Sequence, residues 1–150
     1  MKLEDEIKQV KAFTNEYSKV VVNIIYTYNW LEASTKTFFS DYDITSQQFN
    51  ILRILRGQYP KPSTINLLRE RMLDKMCDAS RLVERLRIKD LVERTKASTD
   101  KRAVDIIITE KGLELLSKID QNFPDFENKL QTLSQEEAVT LNNLLDKLRG

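Results

Sequence analysis

Two short helical segments in close succession between residues 63 and 88, an alternating apolar pattern at Val104, Ile106 and Ile108, and capped helical stretches on either side predict a mainly α fold with a small β-wing. That order of elements is a winged helix-turn-helix with six helices. A chain of 150 residues suits a single domain. Within it, residues 1–40 and 113–150 form the expected helical part, and residues 45–112 the winged-helix part.

The first element is the longest. Leu3, Ile7, Val10, Tyr17, Val21, Ile24, Tyr28 and Leu31 recur at steps of three and four, with Thr14 the one polar residue in the series. This spacing predicts an amphipathic helix from residue 3 to about 38. Around its middle, Val20, Val21, Val22, Ile24 and Ile25 leave almost no polar face, which is more apolar surface than one small domain readily covers. A second copy of the chain is the expected cover, with an ordinary core helix as the alternative.

The second helix starts where Thr45 and Gln48 have capping-box spacing and Ile44 and Phe49 can staple across it. Phe49, Leu52 and Leu55 face inward, Gly57 supplies a stop, and Tyr59-Pro60-Lys61-Pro62 forces an extended connection. Ser63 is the expected cap of a third helix carrying Ile65, Leu68 and Met72. A fourth is expected to begin at Asp74 or Lys75, although no glycine marks the turn at Leu73-Asp74. It places Met76, Ala79, Leu82, Val83 and Leu86 on one apolar sector, with Cys77, Asp78, Arg81, Glu84 and Arg85 opposite. Leu91 to Thr95 and Val104 to Ile108 read as paired strands. Thr109 caps a fifth helix through Leu113, Leu116 and Ile119, which Pro124 is expected to kink or break near Phe123. Ser134 and Glu137 box the start of a sixth, with Ala138, Leu141, Leu145 and Leu148 on its stripe.

Composition narrows the function. No apolar run reaches the roughly 18 residues of a membrane span, and the acidic start Met1-Lys2-Leu3-Glu4-Asp5-Glu6 is unlike a secretory signal, so a cytoplasmic protein is expected. With no histidine and one cysteine, Cys77, there are few ligands for a metal, and no general base of the usual kind. Three glycines cannot build a phosphate-cradling loop. Asp41 with Asp43, and Glu136 with Glu137, have no supporting constellation, so neither an enzyme nor a cofactor is expected.

Charge is nearly balanced overall, but from Arg53 to Arg102 fourteen Lys and Arg stand against seven Asp and Glu. That net +7 leaves −6 for the rest of the chain. A basic middle containing a helix-turn-helix points to double-stranded DNA, because a single helix fits the major groove and residues near its N-terminus reach base edges. Lys75, Cys77, Asp78, Ser80, Arg81 and Arg85 are the candidates, with Arg81 the preferred guanine reader. Lys96, Lys101 and Arg102 in the wing would meet the backbone or minor groove. Ser63 and Thr64 could hold a phosphate through backbone amides, although capping is their commoner role. Tyr26, Tyr28, Trp30, Phe38, Phe39 and Phe49 are candidates for a pocket that takes an aromatic effector, core packing being the ordinary fate of such residues. A winged-helix module that binds an acidic protein partner is the alternative function.

The stretch Leu82-Val83-Glu84-Arg85-Leu86, then Lys89-Asp90-Leu91-Val92-Glu93-Arg94, Asp100-Lys101-Arg102-Ala103-Val104 and Thr109-Glu110-Lys111-Gly112 resembles the recognition helix, wing and post-wing helix of MarR-type transcriptional regulators. The D-x-R element followed by T-x-x-G is its most specific part. The resemblance implies a homodimer built by the first and last helices, a pseudo-palindromic operator, repression relieved by small phenolic ligands or by oxidation, Arg102 as the wing-tip arginine and Asp100 as the residue that orients it. Two departures stand out: Asp90 replaces a glycine before the wing, and Leu73 replaces one in the helix-turn-helix turn. Aspartate tolerates the left-handed backbone better than most residues. Cys77 lies on the expected recognition helix, where a small polar contact is a more natural role than redox sensing.

Overall fold

The computed structural model describes residues 2–96, 104–128 and 131–150. They form two compact units, residues 1–46 and 47–150. No helix among the described residues is long and apolar enough to cross a membrane.

In the first unit the expected single helix is two: α1 (Leu3–Glu6) and α2 (Glu16–Ser40). The interruption has local causes. Lys8 takes a positive φ of 52°, and the extended Asn15 caps α2, its Oδ1 accepting from the Ser18 amide at 2.9 Å. The chain therefore has seven helices among its described residues rather than six. Lys19 Nζ lies 2.5 Å from Glu4 Oε1 and joins the two, and this hydrogen bond holds the Glu4 carboxyl below the usual range. Tyr17, Val21, Ile25 and Tyr28 on α2 are all more than half exposed.

The second unit contains α3 (Ser46–Gln58), α4 (Ile65–Arg71), α5 (Ala79–Ile88), β1 (Val92–Lys96), β2 (Val104–Ile108), α6 (Glu110–Glu127) and α7 (Gln135–Arg149). Its core is assembled from one face each of α3, α4, α5 and α6 and the inner face of the hairpin: Ile51 and Leu52, Leu68, Val83 and Leu86, Ile106, Leu116 and Ile119 are all fully buried. Each such side chain stabilises the fold by about 1.5–3 kcal/mol. Phe49 packs its ring on Phe123, centroids 5.8 Å apart, and Arg56 reaches Asp120 at 2.5 Å, so α3 and α6 are joined by both apolar and charged contacts.

Several boundaries differ from expectation. Gly57 does not stop α3, which continues to Gln58. Ser63 is not the cap of α4. Its amide and carbonyl both bond Ile106 at 2.8 Å, and Thr64 takes the capping role, its Oγ1 accepting from the Leu67 amide. Pro124 lies inside α6 without ending it. The hydrogen bond a proline forfeits is outweighed here by Ile119 before it and Phe126 after it, both buried on the same helix.

The two strands pair antiparallel, with Val92 opposite Ile108 and Lys96 opposite Val104. Ile106 faces Arg94 on one side and bridges Ser63 on the other. Asp90, between α5 and β1, has φ 59°, the left-handed conformation that the missing glycine would have supplied. Thr109 Oγ1 donates to the Asp90 carbonyl at 2.7 Å and accepts from the Gly112 amide, so one side chain closes the loop before the hairpin and caps the helix after it. Ser134 and Glu137 form the expected capping box at α7, and none of the residues of α7 is buried.

Candidate nucleic-acid interface

The turn between α4 and α5 lacks glycine and is built from carboxylate and amide side chains instead. Asn50 Oδ1 accepts from the Leu73 amide at 2.9 Å, and Asp74 Oδ1 accepts from the Met76 amide at 3.0 Å. Asp74 thus closes a local turn and does not start α5. That helix begins at Ala79, with Asp78 as its cap accepting from the Arg81 amide at 3.1 Å. Met76, expected in the apolar sector, precedes the helix and is 94% exposed.

Cys77 also precedes α5. Its Sγ lies 3.0 Å from the Asp74 carbonyl, and burial together with the Asp74 carboxylate pushes its thiol pKa up. The thiolate, the reactive form, is disfavoured. Lys75 Nζ donates to the Glu70 carbonyl at 2.5 Å.

Along α5, Ala79, Leu82, Val83 and Leu86 are buried, and this orients the opposite face. Ser80, Arg81 and Arg85 are exposed on it, Arg81 and Arg85 one turn apart and Ser80 beside Arg81 in the first turn. These are the predicted residues that the structure brings together on one surface. Ser63 is buried, whereas Thr64 is exposed at the start of α4. The Lys96 side chain, Asp100, Lys101 and Arg102 lie outside what the structure describes. Of the aromatic candidates, Tyr26, Tyr28 and Trp30 are exposed on α2, while Phe38 contacts Phe39 and Tyr42 within the first unit. Phe49, in the second unit, is buried in its stack with Phe123.

Sequence reasoning leaves out the charged cluster beside this surface. Glu84 accepts from Arg87 Nε at 3.2 and 3.1 Å and from Arg87 Nη2 at 2.8 Å, and Arg94 Nη1 of β1 reaches Glu84 Oε2 at 3.3 Å. The Arg87 guanidinium first, and Arg94 after it, hold the Glu84 carboxyl below its ordinary value, and Glu84 in turn raises Arg87. The Glu84-Arg87 spacing of three residues signals the helix pair, but nothing local signals Arg94 ten residues on.

Neither a protein-family model nor a curated protein matches the sequence. Solved structures do. A MarR-like transcription regulator from Bacillus cereus superposes with a TM-score of 0.79 at 23% identity, over 89% of this chain and 96% of its own. A cysteine-to-serine mutant of MarR from E. coli, complexed with operator DNA, gives 0.79 at 26% identity, over 92% and 99%. An organohalide-sensing transcriptional regulator in its 2,4-dichlorophenol-bound form gives 0.82 at 21% identity, over 94% and 86%.

Proposed function

We propose that this chain, a winged helix-turn-helix protein of the MarR type, is a homodimeric repressor that binds pseudo-palindromic double-stranded DNA and releases it to a small aromatic ligand. The observation that carries the reading is α5, capped by Asp78, buried along one face and offering Ser80, Arg81 and Arg85 on the other. A helix so held can enter the major groove, where the Arg81 guanidinium donates two parallel hydrogen bonds to guanine O6 and N7. Operator DNA bound to the same fold in the E. coli MarR mutant supports it.

The dimer is supported by the apolar residues left exposed on α2 and α7, since a two-fold pair of recognition helices needs two copies. Thr64, Lys75 and the wing residues Lys96, Lys101 and Arg102 supply phosphate or minor-groove contacts, with Asp100 orienting Arg102. The aromatic ligand rests on Tyr26 and Trp30, exposed on α2, and on the dichlorophenol held by the organohalide sensor of the same fold. A cytoplasmic site of action follows from DNA as the partner.

Selection of bound sequences from random DNA tests the reading. A two-fold symmetric site is expected, with affinity that falls steeply with salt as counterions are released. Arg81→Ala should cost about 1–3 kcal/mol and relax one base position in each half-site. Binding that is absent, or indifferent to salt, refutes the proposal. If phenolic compounds leave the complex intact, the effector is lost from it and the DNA reading stands.

A further inference from the structure

Glu84 projects from the outward half of α5, one turn from Arg81 and Ser80 and next to Arg85 in sequence. An unpaired carboxylate there would repel the phosphates of any DNA that α5 approaches. Both its oxygens are occupied instead: Arg87 forks onto them from the same helix, and Arg94 reaches Oε2 from the first strand of the wing. The cluster therefore ties the recognition helix to the hairpin. Arg94 is also paired across the sheet with Ile106, the residue that bridges Ser63 just before α4.

We propose that Glu84 is a positioning residue for DNA recognition, fixing through Arg94 and Arg87 the angle at which the wing leaves α5 while cancelling its own charge on the DNA-facing surface. The inference rests on α5 and the wing being the DNA-binding surface. Isolated surface ion pairs contribute little, but a forked guanidinium within a three-group network resists rotation in a way a single contact does not. The two ways of regarding Glu84 differ in sign. As a misplaced acid, its neutralisation would strengthen binding to every sequence and steepen the salt dependence, because two arginines would be freed for phosphates. As a positioning residue, its neutralisation costs the selective part of binding alone.

Glu84→Gln and the charge-conserving Arg94→Lys are compared with the parent chain for affinity toward its selected site and toward random-sequence duplex. Amide exchange of β1 and β2 is followed in the free proteins. In both variants the ratio of the two affinities should fall about tenfold, the scale of one impaired base pair. Random-sequence affinity should stay within about twofold, since the phosphate contacts persist. The hairpin amides should exchange faster. An unchanged ratio, a general rise in affinity with a steeper salt slope, or unaltered exchange overturns the proposal while leaving DNA binding intact. A parent chain without selective binding overturns the reading of the surface itself. Should Glu84→Gln fail to fold, Arg94→Lys decides the outcome.

Discussion

Gly112 occupies the first turn of α6 at a point where a methyl group would stand 2.4 Å from the Leu91 carbonyl oxygen and 2.7 Å from Ile108 Cγ1. Backbone cannot yield as a side-chain tip can, so Gly112→Ala should destabilise the protein by about 1–3 kcal/mol despite the better helix propensity of alanine. Urea unfolding measures it, and an unchanged midpoint would show that the Leu91 backbone yields to the added methyl group. The Thr109-x-x-Gly112 spacing is visible in the sequence, but its reason lies in the chain folding Leu91 over the helix start. Asp90 is the converse case. Its tolerance of a left-handed backbone can be argued from the residue type alone, and φ is 59°. Cys77 is different again: a cysteine beside two aspartates looks reactive or not according to burial, which no residue count supplies.

At the scale of elements, capping side chains decide where helices begin, and the sequence offers more caps than the fold uses. Asp74 and Asp78 are equally good on paper. Only Asp78 caps α5, because Asp74 is spent on the Met76 amide. Ser63 and Thr64 compete in the same way, and the pairing of Ser63 with Ile106, distant in sequence, settles it for Thr64. The break between α1 and α2 is hidden by a periodicity that runs through residues which are not helical. Burial patterns on α3, α5 and α6 are legible because one apolar face repeats at helical spacing. Thr109 is the cap with most at stake, serving both α6 and the loop at Asp90. Thr109→Val keeps its shape and removes both bonds, and should cost about 1–2 kcal/mol, read from thermal or urea unfolding. A smaller loss than that of an ordinary helix cap would mean the bond to Asp90 contributes nothing.

For the whole molecule, the exposed apolar side chains of α2 and α7 are the main unsettled account. Leu141, Leu144 and Leu148 are all at least 45% exposed on α7, a poor arrangement for a chain alone in water. In a two-fold dimer each substitution counts twice, so Leu144→Glu should weaken association by about 3–6 kcal/mol if that side chain is buried there. Sedimentation at micromolar concentration should find a dimer for the parent and a monomer for the variant. A monomeric parent would refute the dimer. The sequence points to a partner through the apolar α2 stripe, where Val21, Ile24 and Tyr28 recur at helical spacing.

β2 is held on both flanks: β1 pairs along its length, with Arg94 opposite Ile106, and on the other side Ser63 before α4 exchanges both backbone hydrogen bonds with Ile106. A strand gripped from two sides cannot slide, so register is fixed independently of whatever joins Lys96 to Val104. A change in the length of that connection should therefore leave Ile106 and Ile108 in the core, at a loop-closure cost that grows only slowly with the residues added.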